Sequence, residues 1–267
     1  MDIQKCLADE FKMKPEYVNN IINLIDEGCT IPFIARYRKE MTGSCDDQVL
    51  RELADRLQYL KNFEKRREEI TNAITELGKM TDEISAALGK AETLAALEDI
   101  YRPYKQKRRT RATVAKEKGL EPLAALIFEQ KSDENEILSA ANSCINEEKE
   151  IFSAEDAIAG ALDIIAENVS DDADCRTGLR KLFAKSGVIS SRAAKEEDSV
   201  YSMYYEYSEP VSKIPGHRVL AINRGEKEEF LKVSVEVPSD AALKILTDKF
   251  VTGSGYAASL VNEACDD

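Results

Sequence analysis

Residues 47–77 read DQVLRELADRLQYLKNFEKRREEITNAITEL, and the spacing of their apolar positions decides the fold. Leu50, Leu53, Leu57, Leu60, Phe63, Ile70, Ile74 and Leu77 recur at threes and fours with one gap of seven, the period of an α-helix with a single apolar stripe. Asp46 or Asp47 can cap the start, and Gly78 ends the run. A helix over 47–77 extends roughly 45 Å at about 1.5 Å per residue. Its stripe cannot stay in water, so the helix is predicted to be a spine with other helices packed along it.

Working outward, Pro15 suits a first helical turn, Val18, Ile21, Ile22 and Ile25 follow at helical spacing, and Gly28 stops the pattern. A helix over 14–27 is predicted, with another before it over about 3–12. Beyond the spine, Thr81 starts a helix, and further helices are predicted over 93–101, 121–129, 134–146, 154–169 and 172–186. The stretch 185–199 is polar and irregular and reads as a loop or linker. Arg218 to Ile222, then Asn223-Arg224-Gly225, then the near-alternation of Phe230, Leu231, Val233, Val235 and Val237 predict a β-hairpin near 218–237. Helices over about 240–250 and 255–263 close the chain. The expected fold is mainly α: a multi-helical domain over 1–200 with a long spine helix, then one small β-hairpin and C-terminal helices over 201–267.

The 267 residues are 43% hydrophobic and 33% charged, a globular mixture. No apolar run approaches the roughly 18 residues of a membrane span. The start, MDIQKCLADEF, lacks a basic stretch followed by an apolar one. A soluble, cytoplasmic protein with no membrane partner is expected. Cysteines at 6, 29, 45, 144, 175 and 265 form no C-x-x-C pair and fit no zinc spacing, so scattered thiols are expected. The net charge of −13 conceals a polarised chain. Between 132 and 174 stand thirteen acids and one base, Lys149; between 101 and 118 stand eight bases and one acid, Glu117.

Three segments carry possible function. In TIPFIARYRKEMTG (30–43), Phe33, Ile34 and Tyr37 can pack inward, leaving Arg36, Lys39 and Glu40 outward. The segment is then either a cationic helix end that meets phosphate or a docked helix whose arginines pair with nearby acids. The residue types favour the docked helix. In LEDIYRPYKQKRRTRAT (97–113), Pro103 ends the preceding helix and pushes Arg102 toward extended geometry, while Tyr101 and Tyr104 anchor the turn. Lys105, Lys107, Arg108, Arg109 and Arg111 then crowd a short stretch and repel one another, so a nearby anion is stabilising. Phosphate is one candidate; the acidic span 132–174 is the other, and the residues leave both open. The candidate nucleic-acid contacts are these five with Arg36 and Lys39.

In YSEPVSKIPGHRVLAINRGEKE (207–228), two prolines and a glycine fix a connection, and the single histidine, His217, reads as structural. The chain contains no G-x-x-x-x-G-K-[ST], no G-x-G-x-x-G and no H-E-x-x-H. No catalytic residue, metal or cofactor is expected, and the chain is not expected to be an enzyme.

Taken in order, TIPFIARYRKEMTG, LEDIYRPYKQKRRTRATVAKEKGLEPLA (97–124) and YSEPVSKIPGHRVLAINRGEKE resemble the N-terminal region of the Tex family of bacterial transcription accessory proteins. Gln106 departs from the family's basic motif, where proline is common. The resemblance implies a helical N-terminal part with a helix-turn-helix-like element, which corresponds to about 2–43. It also implies a longer protein with a ribonuclease-H-like domain, helix-hairpin-helix elements and a C-terminal OB-fold that binds RNA. The sequence stops at Asp267, ahead of those parts, and reads as truncated. The implied function is an N-terminal helical scaffold of an RNA- or nucleic-acid-binding transcription accessory protein. Its partners would be RNA or other nucleic acid, mainly through the C-terminal domains, and RNA polymerase or transcription factors. The alternative is a protein-interaction scaffold that contacts the transcription machinery without touching nucleic acid.

Overall fold

A computed structural model describes the chain apart from Met1, Gln106, Lys107 and Glu196. The chain divides into two compact units, Met1–Tyr104 and Lys105–Asp267. The first holds α1 (Ile3–Phe11), α2 (Pro15–Asp26), α3 (Ile31–Tyr37), α4 (Asp47–Glu76), α5 (Asp82–Lys90) and α6 (Leu94–Tyr101). The second holds α7 (Arg111–Glu117), α8 (Glu121–Phe128), α9 (Glu134–Ser143), α10 (Ala154–Asp171), α11 (Ala173–Ser186), β1 (Val188–Ala193), β2 (Glu206–Pro210), α12 (Gly216–Lys227), β3 (Leu231–Glu236), α13 (Ser239–Phe250) and α14 (Tyr256–Asp266). The protein is mainly helical with one small sheet.

The spine α4 forms over the predicted span, and Asp46 caps it by accepting a hydrogen bond from the Val49 amide at 2.8 Å. Its stripe serves two cores in succession. Leu50, Leu53, Leu57 and Leu60 pack with Leu7, Val18, Ile21, Leu24 and Ile34 from α1, α2 and α3. Phe63, Ile70 and Ile74 pack with Leu88, Ala91 and Leu97 on and beside α5 and α6. The gap of seven in the stripe is filled by Arg67. Its guanidinium lies 4.7 Å from the Phe63 ring centroid, pairs with Glu64 at 2.8 Å and donates to the Ala91 carbonyl at 3.0 Å. A cation with an aliphatic stem thus replaces one apolar rung of the stripe.

In the second unit α10 is central. Ala157 and Ala161 face a core that includes Ala112, Ala115, Leu123, Ile127, Ile137, Ile165 and Val261. Small residues let neighbouring side chains come close: a β-carbon on Gly160 would stand 2.5 Å from Leu120 Cδ1. Lys249 of α13 bridges Asp172 and Asp174 at the start of α11, at 2.7 and 2.8 Å. Gln130 closes the far side. Its amide donates to the Phe250 carbonyl at 2.6 Å and accepts from the Thr252 and Gly253 amides at 2.9 and 3.1 Å. Gln130→Ala removes both halves of that bridge, so a loss of about 1–3 kcal/mol is expected in chemical denaturation. Unchanged stability would mean that water replaces the side chain without cost.

Three expectations are corrected. The boundary expected near 200 falls inside the second unit, between β1 and β2, which pair in one antiparallel sheet of order β2-β1-β3. The hairpin expected near 218–237 is not formed, because 216–227 is helix α12 and only its second arm is a strand. The run Val219 to Ile222 fits a strand or a helix equally; Ile222 turns into the sheet core while Leu220 faces out, as a helical period requires. Gly225 permits this packing, since a β-carbon there would meet Leu231 Cδ1 at 2.7 Å. The strand that pairs with β3 is β1, which lies in the stretch 185–199 read as a loop or linker. In β1, Ile189 and Ser191 point inward, and Ser191 Oγ donates to the Tyr204 carbonyl at 2.7 Å. One buried apolar residue is too weak a pattern to read as a strand.

All six cysteines are free thiols. Among the described residues no helix is long and apolar enough to cross a membrane.

Candidate nucleic-acid interface

The basic segment is organised by α7. Thr110 caps this helix, its hydroxyl oxygen accepting from the Thr113 amide at 3.1 Å, and the same hydroxyl donates to Glu167 of α10 at 2.9 Å. Ala112 and Ala115 are buried, so one face of α7 is pressed onto α10 and its bases are sorted by direction. Arg111 turns toward α10, 3.2 Å from Asp163, and also pairs with Asp267. Lys116 reaches Glu167 at 3.3 Å and Lys118 reaches Glu150 at 3.8 Å. Arg109 pairs with Glu117 at 2.9 Å.

The acidic span is therefore an internal partner of this segment for Arg111, Lys116 and Lys118. Burial raises the pKa of the Asp163 carboxyl from its ordinary value, and the Arg111 charge acts against that shift. A cleft of about 570 Å³ beside α7 is lined by Arg111 and Lys118 but also by Glu150, Asp156 and Asp163. That balance of charge does not suit a phosphate.

Lys105 and Arg108 differ. Both are exposed, and neither has an ion-pair partner among the described residues. Lys107, the remaining candidate of the cluster, lies outside the described residues, as does Gln106. Arg102 keeps helical dihedrals (φ −52°, ψ −43°) instead of the extended geometry expected before Pro103, because a 3₁₀ turn over Arg102–Tyr104 continues from α6. Tyr101 and Tyr104 do pack against the core of the first unit.

Arg36 and Lys39 lie in the first unit, both exposed. The docked-helix expectation for this segment fails in two respects. Ile34 is fully buried, but Phe33 is 37% exposed and Tyr37 56%. At about 100° per residue, Ile31, Ile34 and Ala35 share one face of α3, and Phe33, Arg36 and Tyr37 fall on the other. Adjacent positions cannot both point at the core centre, so Phe33 and Ile34 are not buried together. Nor does Arg36 find an acid among the described residues. Sequence reading missed Phe33 and Tyr37 as surface residues, although their spacing of four, out of phase with Ile31 and Ile34, contained the signal. His217 lies exposed in the first turn of α12.

The family described as Tex-like protein N-terminal domain matches residues 1–75, and that described as Tex central region-like matches residues 132–260. An uncharacterized protein of Bacillus subtilis, YdcI, is 46% identical over 242 residues, covering 89% of this chain and 34% of the relative. The transcriptional accessory protein Tex of Neisseria gonorrhoeae is 40% identical over 244 residues, covering 90% of this chain and 32% of the relative. The human S1 RNA-binding domain-containing protein 1 is 30% identical over 246 residues, covering 88% and 24%. The chain thus spans about a third or less of the length of these relatives. With both family regions matched in order across about three quarters of its length, the chain belongs to the Tex-like family and corresponds to its N-terminal and central regions.

Proposed function

We propose that this chain is the helical scaffold of a nucleic-acid-binding transcription accessory protein, and that it touches the phosphate backbone through Lys105 and Arg108. One observation supports the proposal: these two cations are exposed and have no ion-pair partner among the described residues, at the edge of a segment whose Arg109 and Arg111 are held by carboxylates. The names of the relatives from Neisseria gonorrhoeae and human, one a transcriptional accessory protein and one RNA-binding, support the same assignment. The role is binding and not catalysis, it operates in the cytoplasm, and the helix-turn-helix-like part at 2–43 belongs to it. Purified chain should accordingly release no fragments from labelled RNA.

Salt dependence tests the contact. Each cation that neutralises a phosphate adds about −0.9 to the slope of log affinity against log salt on duplex and about −0.7 on single strands. Replacing Lys105 and Arg108 with alanine is expected to flatten the slope by about 1.8 on duplex or about 1.4 on single strands. Arg111→Ala should leave the slope alone. It should cost at most about 1 kcal/mol of stability, because its side chain is 70% exposed and screened by solvent. An unchanged slope in the double variant removes the phosphate contact.

Contact with proteins of the transcription machinery is a second reading, favoured by the strong exposure of Val200, Met203 and Leu220 in the second unit. An apolar interface of that kind would bind a protein partner with little dependence on salt.

A further inference from the structure

The exposed face of α3 combines two features that each call for explanation. Phe33 and Tyr37 stand one helical turn apart with ring centroids 5.3 Å from each other, and both rings are open to solvent. The Arg38 guanidinium lies 5.2 Å from the Phe33 centroid, Arg36 shares the face, and Lys39 follows directly.

The arginines of the spine helix are treated differently. All four arginines of α4 sit on carboxylates: Arg51 on Asp47 at 2.8 Å, Arg56 on Glu10 at 2.6 Å, Arg66 on Glu98 at 2.6 Å and Arg67 on Glu64 at 2.8 Å. Arg36, Arg38 and Lys39 have no carboxylate partner among the described residues. Acids are abundant in a chain of net charge −13, yet these three neighbouring cations beside the exposed rings find none among the described residues.

We infer that this face of α3 is a stacking platform for single-stranded nucleic acid. The Tyr37 ring, with Phe33 next to it, takes an unpaired base, and Arg36 and Lys39 take the adjoining phosphates. Flat rings select for unpaired bases, because in a duplex each base is already stacked and offers only its edge in a groove. Phosphate contact alone would need the cations but not the rings. The inference rests on the nucleic-acid role proposed above and adds to it the strandedness of the ligand and two aromatic residues in the other unit.

The test uses the full 267-residue chain with a short fluorescein-labelled oligouridine and an RNA duplex of the same length. Tyr37→Ala is expected to lower oligouridine affinity about tenfold, the order of one lost base–ring stack. Tyr37→Phe keeps the ring and should keep the affinity within about twofold. Neither change should alter duplex affinity. Replacing Arg36 and Lys39 with alanine should flatten the single-strand salt slope by about 1.4. Oligouridine affinity that survives Tyr37→Ala, an equal loss on duplex and single strand, or no binding of oligouridine by the parent chain would each overturn the platform. If the Lys105 and Arg108 variant loses salt slope while Tyr37→Ala is silent, the platform falls and the contact on the second unit stands. The reverse pattern keeps the platform and removes that contact.

Discussion

Leu57→Pro is expected to unfold the first unit or to bring it close to unfolding. Leu57 sits near the middle of α4, 2% exposed, where the spine packs against α1, α2 and α3. Proline there removes the amide that bonds to the Leu53 carbonyl, and its ring clashes with that same carbonyl, at a cost of about 3 kcal/mol or more. The lost leucine contacts add to this, since truncating a buried leucine costs about 2–5 kcal/mol. Against a typical domain stability of about 5–15 kcal/mol, the two together leave little or nothing. Far-UV circular dichroism should show lost helix, and the first unit should lose its cooperative melt. Gln58→Ala, one residue on but exposed, should shift stability by no more than about 0.5 kcal/mol. A Leu57→Pro chain that matches the parent in both spectrum and melt would contradict the continuous helix.

Ile127→Ala should produce the largest loss in the second unit. The side chain is fully buried, and its core neighbours come from α8, α9, α10 and α14. Removing it costs about 2–5 kcal/mol, with the higher figure expected where the surroundings cannot collapse into the space. Here the partners are held at the helix ends. Asp133 and Ser153 each form a reciprocal capping box, at the starts of α9 and α10, and Gln130 ties the end of α8 to the residues after α13. Such tethers limit relaxation, so the denaturation midpoint should move far toward lower denaturant with the slope preserved. A loss below about 1 kcal/mol would mean that the core closes over the gap after all.

The sequence by itself determined the helices that carry a long or capped apolar period. The span of α4 and the starts of α5 and α6 at Thr81 and Thr93 were legible, and the cap of α4 was narrowed to Asp46 or Asp47, because capping and the 3.6-residue period are local. The family was legible too, since three long segments in order identify it without any knowledge of the fold. What only the tertiary structure decided depends on contacts distant in sequence. The run 218–222 is equally apolar as strand or helix, and packing of Ile222 and Gly225 against Leu231 and Tyr201 selected the helix. Strand β1 has too few apolar residues to show a period, and it exists because β2 and β3 hydrogen-bond to it from both sides. The sorting of bases into paired and unpaired was likewise unreadable. Arg111 and Arg108 are chemically equivalent in the sequence, and the burial of Ala112 and Ala115 against α10 brings one of them to Asp163 and leaves the other without a described partner.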